Sequence, residues 1–398
     1  MIIKPAVRNN ICANAHPVGC AKEVERQIKY VQAKGKSRGT LPQKPRNVLV
    51  LGCSTGYGLA SRIAAAFEYG AATFGVSLEK AGTETKGGTP GWYNNLAFDQ
   101  KAKEAGIPSV TFDGDAFSDE MRDRVIAKAK EMGITFDLVI YSLASPVRKD
   151  PKTGELYKSV LKPFGKPFTG STIDVMTGKI STISAEPATE EEAAQTVKVM
   201  GGEDWELWIT ALNKAGTLAE GCKTIAYSYI GPSLSHAIYR DGTIGGAKKH
   251  LEATALKLNA ELQKSVKGEA YVSVNKGLVT RSSAVIPIIP LYLSVLFKVM
   301  KEKGTHEGCI EQAERLFAER LYTGGAVPVD ENHLIRIDDW EMDPAIQAEI
   351  DKRMPLLTEE TIKELGDLEG YRHDFLATNG FDVEGVDYSA DVARLDTI

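Results

Sequence analysis

At 398 residues, 43% hydrophobic and 25% charged, the chain has the composition of a folded globular protein and not of a disordered one. A formal net charge of −5 with no dense basic run speaks against nucleic acid as a partner. Five scattered cysteines, Cys12, Cys20, Cys53, Cys222 and Cys309, lack CxxC spacing, which predicts reduced thiols and a cytoplasmic protein.

The start, MIIKPAVRNNICANAHPVG, has no charged region followed by an apolar one, so no secretory leader is expected. Residues 1–46 read as an N-terminal extension, with a helix over EVERQIKYVQAKGK and a loop over SRGTLPQKPR. From Asn47 strands alternate with helices. NVLVLG is a buried strand, YGLASRIAAAFEYG a helix stopped by Gly70, and AATFGVSLE and SVTFDGD are the next strands. SDEMRDRVIAKAKEMG is a helix with acids in its first turn and Gly133 after its end, followed by the strand FDLVIYSLAS. Apolar strands alternating with helices predict an α/β fold: a Rossmann-type, doubly wound parallel sheet covered on both faces.

Residues 146–220 are polar and turn-rich. They hold a predicted hairpin around Thr177–Gly178 and a short helix, EDWELWITAL, with Trp205 and Trp208 on one face. We read the whole stretch as an insertion at a strand's C-terminal end, where ligand-covering elements sit. The sheet resumes at KTIAYSYIG and EAYVSVNKG, with the helix GAKKHLEATALKLNAELQKS between them. The sheet domain is therefore expected over 47–330 and an acidic helical extension over 331–398. AVIPIIPLYLSVLFKVM, Ala284 to Met300, is short and holds two prolines and Lys298, which predicts a buried helix from near Leu291 and no membrane span.

LGCSTGYGLASR sets Gly52, Gly56 and Gly58 directly after the first strand and at the start of a helix. A pyrophosphate there must approach backbone amides that larger side chains would block. The spacing, G-x-x-x-G-x-G, matches the short-chain dehydrogenase form of the dinucleotide turn; a purely structural turn is the other reading. Glu79 ends the second strand, about twenty residues beyond the turn, where a carboxylate accepts both adenosine ribose hydroxyls and repels a 2′-phosphate. NADH is thereby favoured over NADPH. Asp115 and Ala116 end the third strand, where an adenine would lie, and Leu143 and Ala144 end the fourth, beside the expected nicotinamide ribose.

SHAIYRDGTIGGAKKH holds Tyr239 and Lys248, nine positions apart. On one continuous helix they would face opposite sides. RDGTIGG carries a turn signal and three glycines, so Tyr239 is expected on a preceding loop or helical end and Lys248 on the first turns of the next helix. From spacing alone two readings stand equal: an acid and its cationic helper, or a buried tyrosine beside a surface lysine. In the first, a nearby ammonium lowers the phenol's pKa from its usual value of about 10. The six histidines show no paired ligand spacing, so no metal is expected.

GCSTGYGLASR, YSLASPVR, YSYIGP, Y-x8-K, VNKGLVTRSSAVIPIIPLY and YRHDFLATNGF together resemble the trans-2-enoyl-CoA reductase family, which includes the FabV-type enoyl-acyl-carrier-protein reductases. The likeness runs from HPVGC at His16 to the GFDVEGVDY tail and is nearest to bacterial, NADH-dependent members acting on crotonyl-CoA. It implies Tyr239 as proton donor, Lys248 as its support and a cofactor contact, and Tyr229 as a contact of the substrate acyl group. Tyr227, two residues away on a strand, is expected on the same face without a role. The resemblance assigns NADH to Gly52, Cys53, Ser54, Thr55, Gly56 and Tyr57, then Leu78 and Glu79, Asp115 and Ala116, Leu143 and Ala144, Lys248, and Leu278, Val279 and Thr280. It also implies no flavin, a monomer, and an enoyl thioester substrate on CoA or on acyl carrier protein. Val285 to Phe297 reads equally as core helix or acyl-pocket wall, and the resemblance favours the wall. A carbonyl-reducing short-chain dehydrogenase is the lesser alternative, because Thr243 and not lysine stands four after Tyr239.

Overall fold

The computed structural model describes residues 1–39, 41–280 and 283–398. Thr40 in the expected loop, Arg281 and Ser282 in VNKGLVTRSSAV, and the side chain of Val285 lie outside the described residues. Seven strands form the central sheet: β1 (Asn47–Leu51), β2 (Ala72–Ser77), β3 (Ser109–Asp113), β4 (Phe136–Tyr141), β5 (Leu218–Ser228), β6 (Glu269–Val274) and β7 (Leu334–Arg336). Their spatial order is β7-β6-β5-β4-β1-β2-β3, and every neighbouring pair is parallel. The order reverses between β1 and β4, which opens a crevice beyond their C-terminal ends.

Side chains along each strand alternate between two cores. Val48 and Val50 pack with Leu138, Ile140 and Phe317 on one face, while Leu49 and Leu51 pack with Trp205, Trp208 and Leu258 on the other. Burial on both faces is why these strands read as unbroken apolar runs. The covering helices are α1 (Pro17–Arg38), α2 (Gly56–Ile63), α3 (Pro90–Glu104), α4 (Asp119–Glu131), α5 (Glu190–Met200), α6 (Glu203–Lys214), α7 (Thr243–Ser265), α8 (Ile289–Glu302), α9 (Cys309–Leu316), α10 (Pro344–Arg353) and α11 (Leu368–Ala377). No helix among the described residues is long and apolar enough to cross a membrane.

Three features depart from the sequence reading. Helix α3 was not anticipated, because Asn94 and Asn95 are buried and interrupt its apolar stripe. The polar stretch after β4 divides. Hairpins Val147–Lys149/Leu156–Lys158 and Phe168–Ile173/Ile180–Ala185 and helix α5 stand outside the sheet layers, whereas α6 is a crossover helix packed beneath the sheet. There Trp205 Nε1 donates to Thr224 Oγ1 at 2.9 Å, and Trp208 Nε1 donates to the Ala116 carbonyl at 2.9 Å. The acidic tail, read as helical, contributes β7 at the sheet edge.

Between α4 and α6 lies a buried ion pair, Arg122 Nη1 to Asp204 Oδ1 at 3.0 Å, with the Tyr141 hydroxyl donating to Asp204 Oδ2 at 3.1 Å. Burial raises the Asp204 carboxyl to a pKa of about 6 against the pull of Arg122. Asp204→Ala removes the buried carboxylate shared by Arg122 and Tyr141, leaving Arg122 its bonds to Asp119 and the Phe117 carbonyl, so denaturant unfolding should show a loss of about 3 kcal/mol.

Candidate active site

A cavity of about 840 Å³ opens over the C-terminal ends of β1 to β5. Its floor is the turn from β1 into α2. A Cβ on Gly52 would run into the Ser142 carbonyl, and one on Gly58 into the Gly52 carbonyl. These two glycines allow the turn to close on itself. Gly56, with φ +54°, is different: a Cβ there meets nothing nearer than Thr280 Cγ2 at 3.5 Å, so its backbone is open to a ligand. Together with the start of α2 this forms a cradle of the shape a pyrophosphate needs.

Glu79 stands at the rim, where its carboxylate accepts from Ser54 Oγ at 2.6 Å and its N–H donates to Asp113 Oδ1 at 2.9 Å. Leu78 beside it is 72% exposed, an apolar surface on the cavity wall. Ser54, Thr55, Tyr57, Asp115, Ala116, Leu143, Ala144 and Thr280 also line the cavity. Cys53, Leu278 and Val279 do not. The Cys53 N–H bonds the Val76 carbonyl at 3.2 Å, and its thiol faces Asn95 and Arg62, both 3.8 Å away, inside the core. Leu278 and Val279 pack with α8.

Tyr239 follows a single helical turn, Ser233–His236, and its carbonyl accepts from Gly242 N at 3.2 Å and Gly245 N at 3.0 Å. A Cβ on Gly245 would strike the Arg240 carbonyl, so glycine is what lets α7 start against the Tyr239 loop. Lys248 sits in the opening turns of α7, and both side chains reach the cavity. The expected ammonium effect on Tyr239 is not seen. Lys248 Nζ donates to the Tyr227 carbonyl at 3.0 Å, and burial alone pushes the Tyr239 phenol up to about 12. Burial brings Lys248 down to about 8, with Glu252 opposing. The Tyr239 hydroxyl makes no hydrogen bond among the described residues.

Tyr227 and Tyr229 were expected on one face, but β5 ends at Ser228 and their hydroxyls part. Tyr227 pairs with Ser61 Oγ at 2.5 Å, whereas Tyr229 donates to Glu341 Oε1 at 3.2 Å and packs edge-on to Tyr239, ring centroids 5.4 Å apart. Of the apolar stretch after Thr280, Ala284 lines the cavity, Ile286 and Ile288 pack near Tyr239, and α8 is buried core. Residues that sequence reasoning missed close the remaining side: Asn10, Ile11 and Cys12 from the N-terminal hairpin (Val7–Arg8 with Ile11–Cys12), and Phe375 within α11 with Thr378 and Asn379 just after it. Asn379 Nδ2 ties the two, donating to the Cys12 carbonyl at 3.2 Å and the Asn14 carbonyl at 2.7 Å. Among the described residues no three His, Cys, Asp or Glu side chains converge as a metal site requires.

A phosphate-sized turn and a buried phenol sharing one cavity place the protein among the Rossmann-type, dinucleotide-dependent oxidoreductases. Comparison with known proteins narrows this. Residues 86–322 match the profile of the trans-2-enoyl-CoA reductase catalytic region, residues 2–84 the NAD(P)H binding domain of trans-2-enoyl-CoA reductase, and residues 329–392 a profile described as the enoyl reductase FAD binding domain. The chain is 66% identical to Treponema denticola trans-2-enoyl-CoA reductase [NADH] over 100% of both chains. It is 54% identical to an enoyl-[acyl-carrier-protein] reductase [NADH] from Cytophaga hutchinsonii, covering 100% of this chain and 99% of that one. The crystal structure of the Treponema denticola enzyme in complex with NAD superposes with a TM-score of 0.97 at 65% identity, covering 100% of each chain. The chain belongs to the trans-2-enoyl-CoA reductase family.

Replacing Glu79 by Ala removes the rim carboxylate that would repel a 2′-phosphate. The ratio of kcat/KM for NADH over NADPH should fall by roughly tenfold; an unchanged ratio refutes the ribose role.

Proposed function

We propose that the protein uses NADH to reduce the C2=C3 double bond of trans-2-enoyl thioesters, crotonyl-CoA among them. The observation that carries this reading is Tyr239: a buried, protonated phenol whose hydroxyl has no hydrogen-bond partner among the described residues, facing the cavity of the glycine turn. Bound NADH supplies a hydride to the β-carbon. The Tyr239 hydroxyl then donates to the thioester oxygen as enolate charge develops there, and protonation at the α-carbon completes the saturated acyl thioester. A phenol held near pKa 12 stays neutral at pH 7, the state a donor to an enolate needs. Lys248, close by on α7, would contact the cofactor, its Nζ held by the Tyr227 carbonyl at 3.0 Å, while Tyr229 would wall the acyl group.

No flavin enters this scheme. Residues 329–392 supply β7, α10 and α11, and the three they add to the cavity wall are Phe375, Thr378 and Asn379. The relatives' names favour both carriers, CoA and acyl carrier protein, and rates on crotonyl-CoA against an enoyl-carrier-protein substrate separate them. Five scattered cysteines without CxxC spacing suit a reducing, cytoplasmic compartment.

Absorbance of the nicotinamide band tests the reaction: NADH should be consumed on adding crotonyl-CoA, and no oxidation with any enoyl thioester overturns the reading. Tyr239→Phe should lower kcat by about 10²–10⁴-fold while NADH still binds; near-normal turnover places the acid elsewhere.

Lys248 supplies a pH signature. Its lowered pKa means the ammonium is present below about pH 8 and lost above it. The kcat/KM for NADH, which reports the free enzyme, should therefore fall on an alkaline limb centred near 8. That limb should vanish in Lys248→Met.

A further inference from the structure

Behind Tyr229, outside the cavity wall, lies a carboxylate that the scheme above does not use. Glu341 is fully buried, and three donors converge on it. The Gly277 N–H reaches Oε2 at 2.6 Å, while the hydroxyls of Tyr292 and Tyr229 reach Oε1 at 2.7 and 3.2 Å. Tyr292 in turn accepts from Gln347 Nε2 at 3.2 Å, which leaves its own proton for Glu341. Three donors and no acceptor suit an ionised carboxylate, which only accepts. Burial raises the Glu341 carboxyl, and the nearby Lys276 ammonium, the Gly277 amide and Tyr292 oppose that rise. The buried charge is thus compensated by donors and by a cation.

The consequence concerns where protons point. A phenol has one. Tyr229 faces the cavity and packs against Tyr239, yet its proton is committed to Glu341 on the far side. To a substrate it therefore offers a ring and lone pairs. Tyr239, its neighbour, has a hydroxyl that is uncommitted among the described residues. Two adjacent tyrosines are divided into one wall and one donor.

We propose that Glu341 is a positioning residue: it holds the Tyr229 proton out of the cavity and so reserves the contact with the thioester oxygen for Tyr239. This rests on Tyr239 being the donor, as argued above.

Glutamine at 341 reverses the hydrogen bond. Its amide oxygen can accept from Gly277 N–H, and its NH2 then donates to the phenol oxygens, freeing the Tyr229 proton. Crotonyl-CoA-dependent NADH oxidation by the full chain reads the result. Tyr239→Phe/Glu341→Gln should turn over about tenfold faster than Tyr239→Phe alone, a gain within the range of a positioned acid. Adding Tyr229→Phe should erase it. A merely structural glutamate predicts the opposite, a further loss, so equal or lower turnover in the double variant overturns the proposal. Melting curves and NADH affinity monitor folding. Should the glutamine variant not fold, Tyr229→Phe decides: its loss in kcat should be at least about tenfold smaller than that of Tyr239→Phe, with the larger change in KM for the thioester. A loss as deep as that of Tyr239→Phe overturns the proposal. An inactive wild-type protein would instead sink the reading beneath it.

Discussion

The turn between β1 and α2 is built of backbone lying on backbone. Gly58 rests on the Gly52 carbonyl, and Gly52 on the carbonyl of Ser142, so no side chain separates the end of β1, the start of α2 and the end of β4. Hydrogen bonds lock the contact: Gly52 N–H to the Val76 carbonyl and Ser142 N–H to the Leu51 carbonyl, both 2.8 Å. Three strand ends are thereby fixed relative to one another. The positions of Glu79, Leu143 and the open backbone at Gly56 follow from that contact, and so does the place a dinucleotide can lie.

Around this rigid floor the protein buries an unusual amount of charge. Arg62 lies fully buried under the turn, stacked on Phe98 with its guanidinium carbon 4.1 Å from the ring centroid and bonded to Ser109 Oγ and Thr111 Oγ1 at 2.9 Å. Arg315 and Glu307 pair in the core at 2.6 and 2.9 Å. Such groups add little net stability over apolar replacements, but they tolerate only one geometry. The Glu307 carbonyl also accepts from Lys276 Nζ at 3.3 Å, next to the Gly277 amide that bonds Glu341.

The sheet was legible because strands buried on both faces leave continuous apolar runs, and because Gly52, Gly56 and Gly58 mark a turn that only a few backbones need. The Tyr239–Lys248 geometry was half legible: helical phase showed that the pair cannot share one helix, but their shared cavity depends on Gly245 meeting the Arg240 carbonyl. Helix α3 was hidden by buried asparagines, and β7 by its three-residue length within an acidic stretch. Glu341 was beyond reach. It stands among four acids in IDDWEMD, and only the packed structure shows which turn inward. The roles of Asn10 to Cys12 and Asn379 were equally silent, since they arise from a contact spanning 367 residues.

That long-range contact has a bearing on how the protein is made. The hairpin carrying Cys12 leaves the ribosome 367 residues ahead of the asparagine that holds it. Until residue 379 has emerged, that wall of the cavity has the bonds of Asn10 to Ile173 and Val175 to hold it, without those of Asn379. A nascent chain stalled anywhere in the sheet would own a glycine turn but no closed site, so cofactor capture becomes a late event in the life of the chain, and a truncated product is denied the stabilisation that a bound dinucleotide gives the finished one.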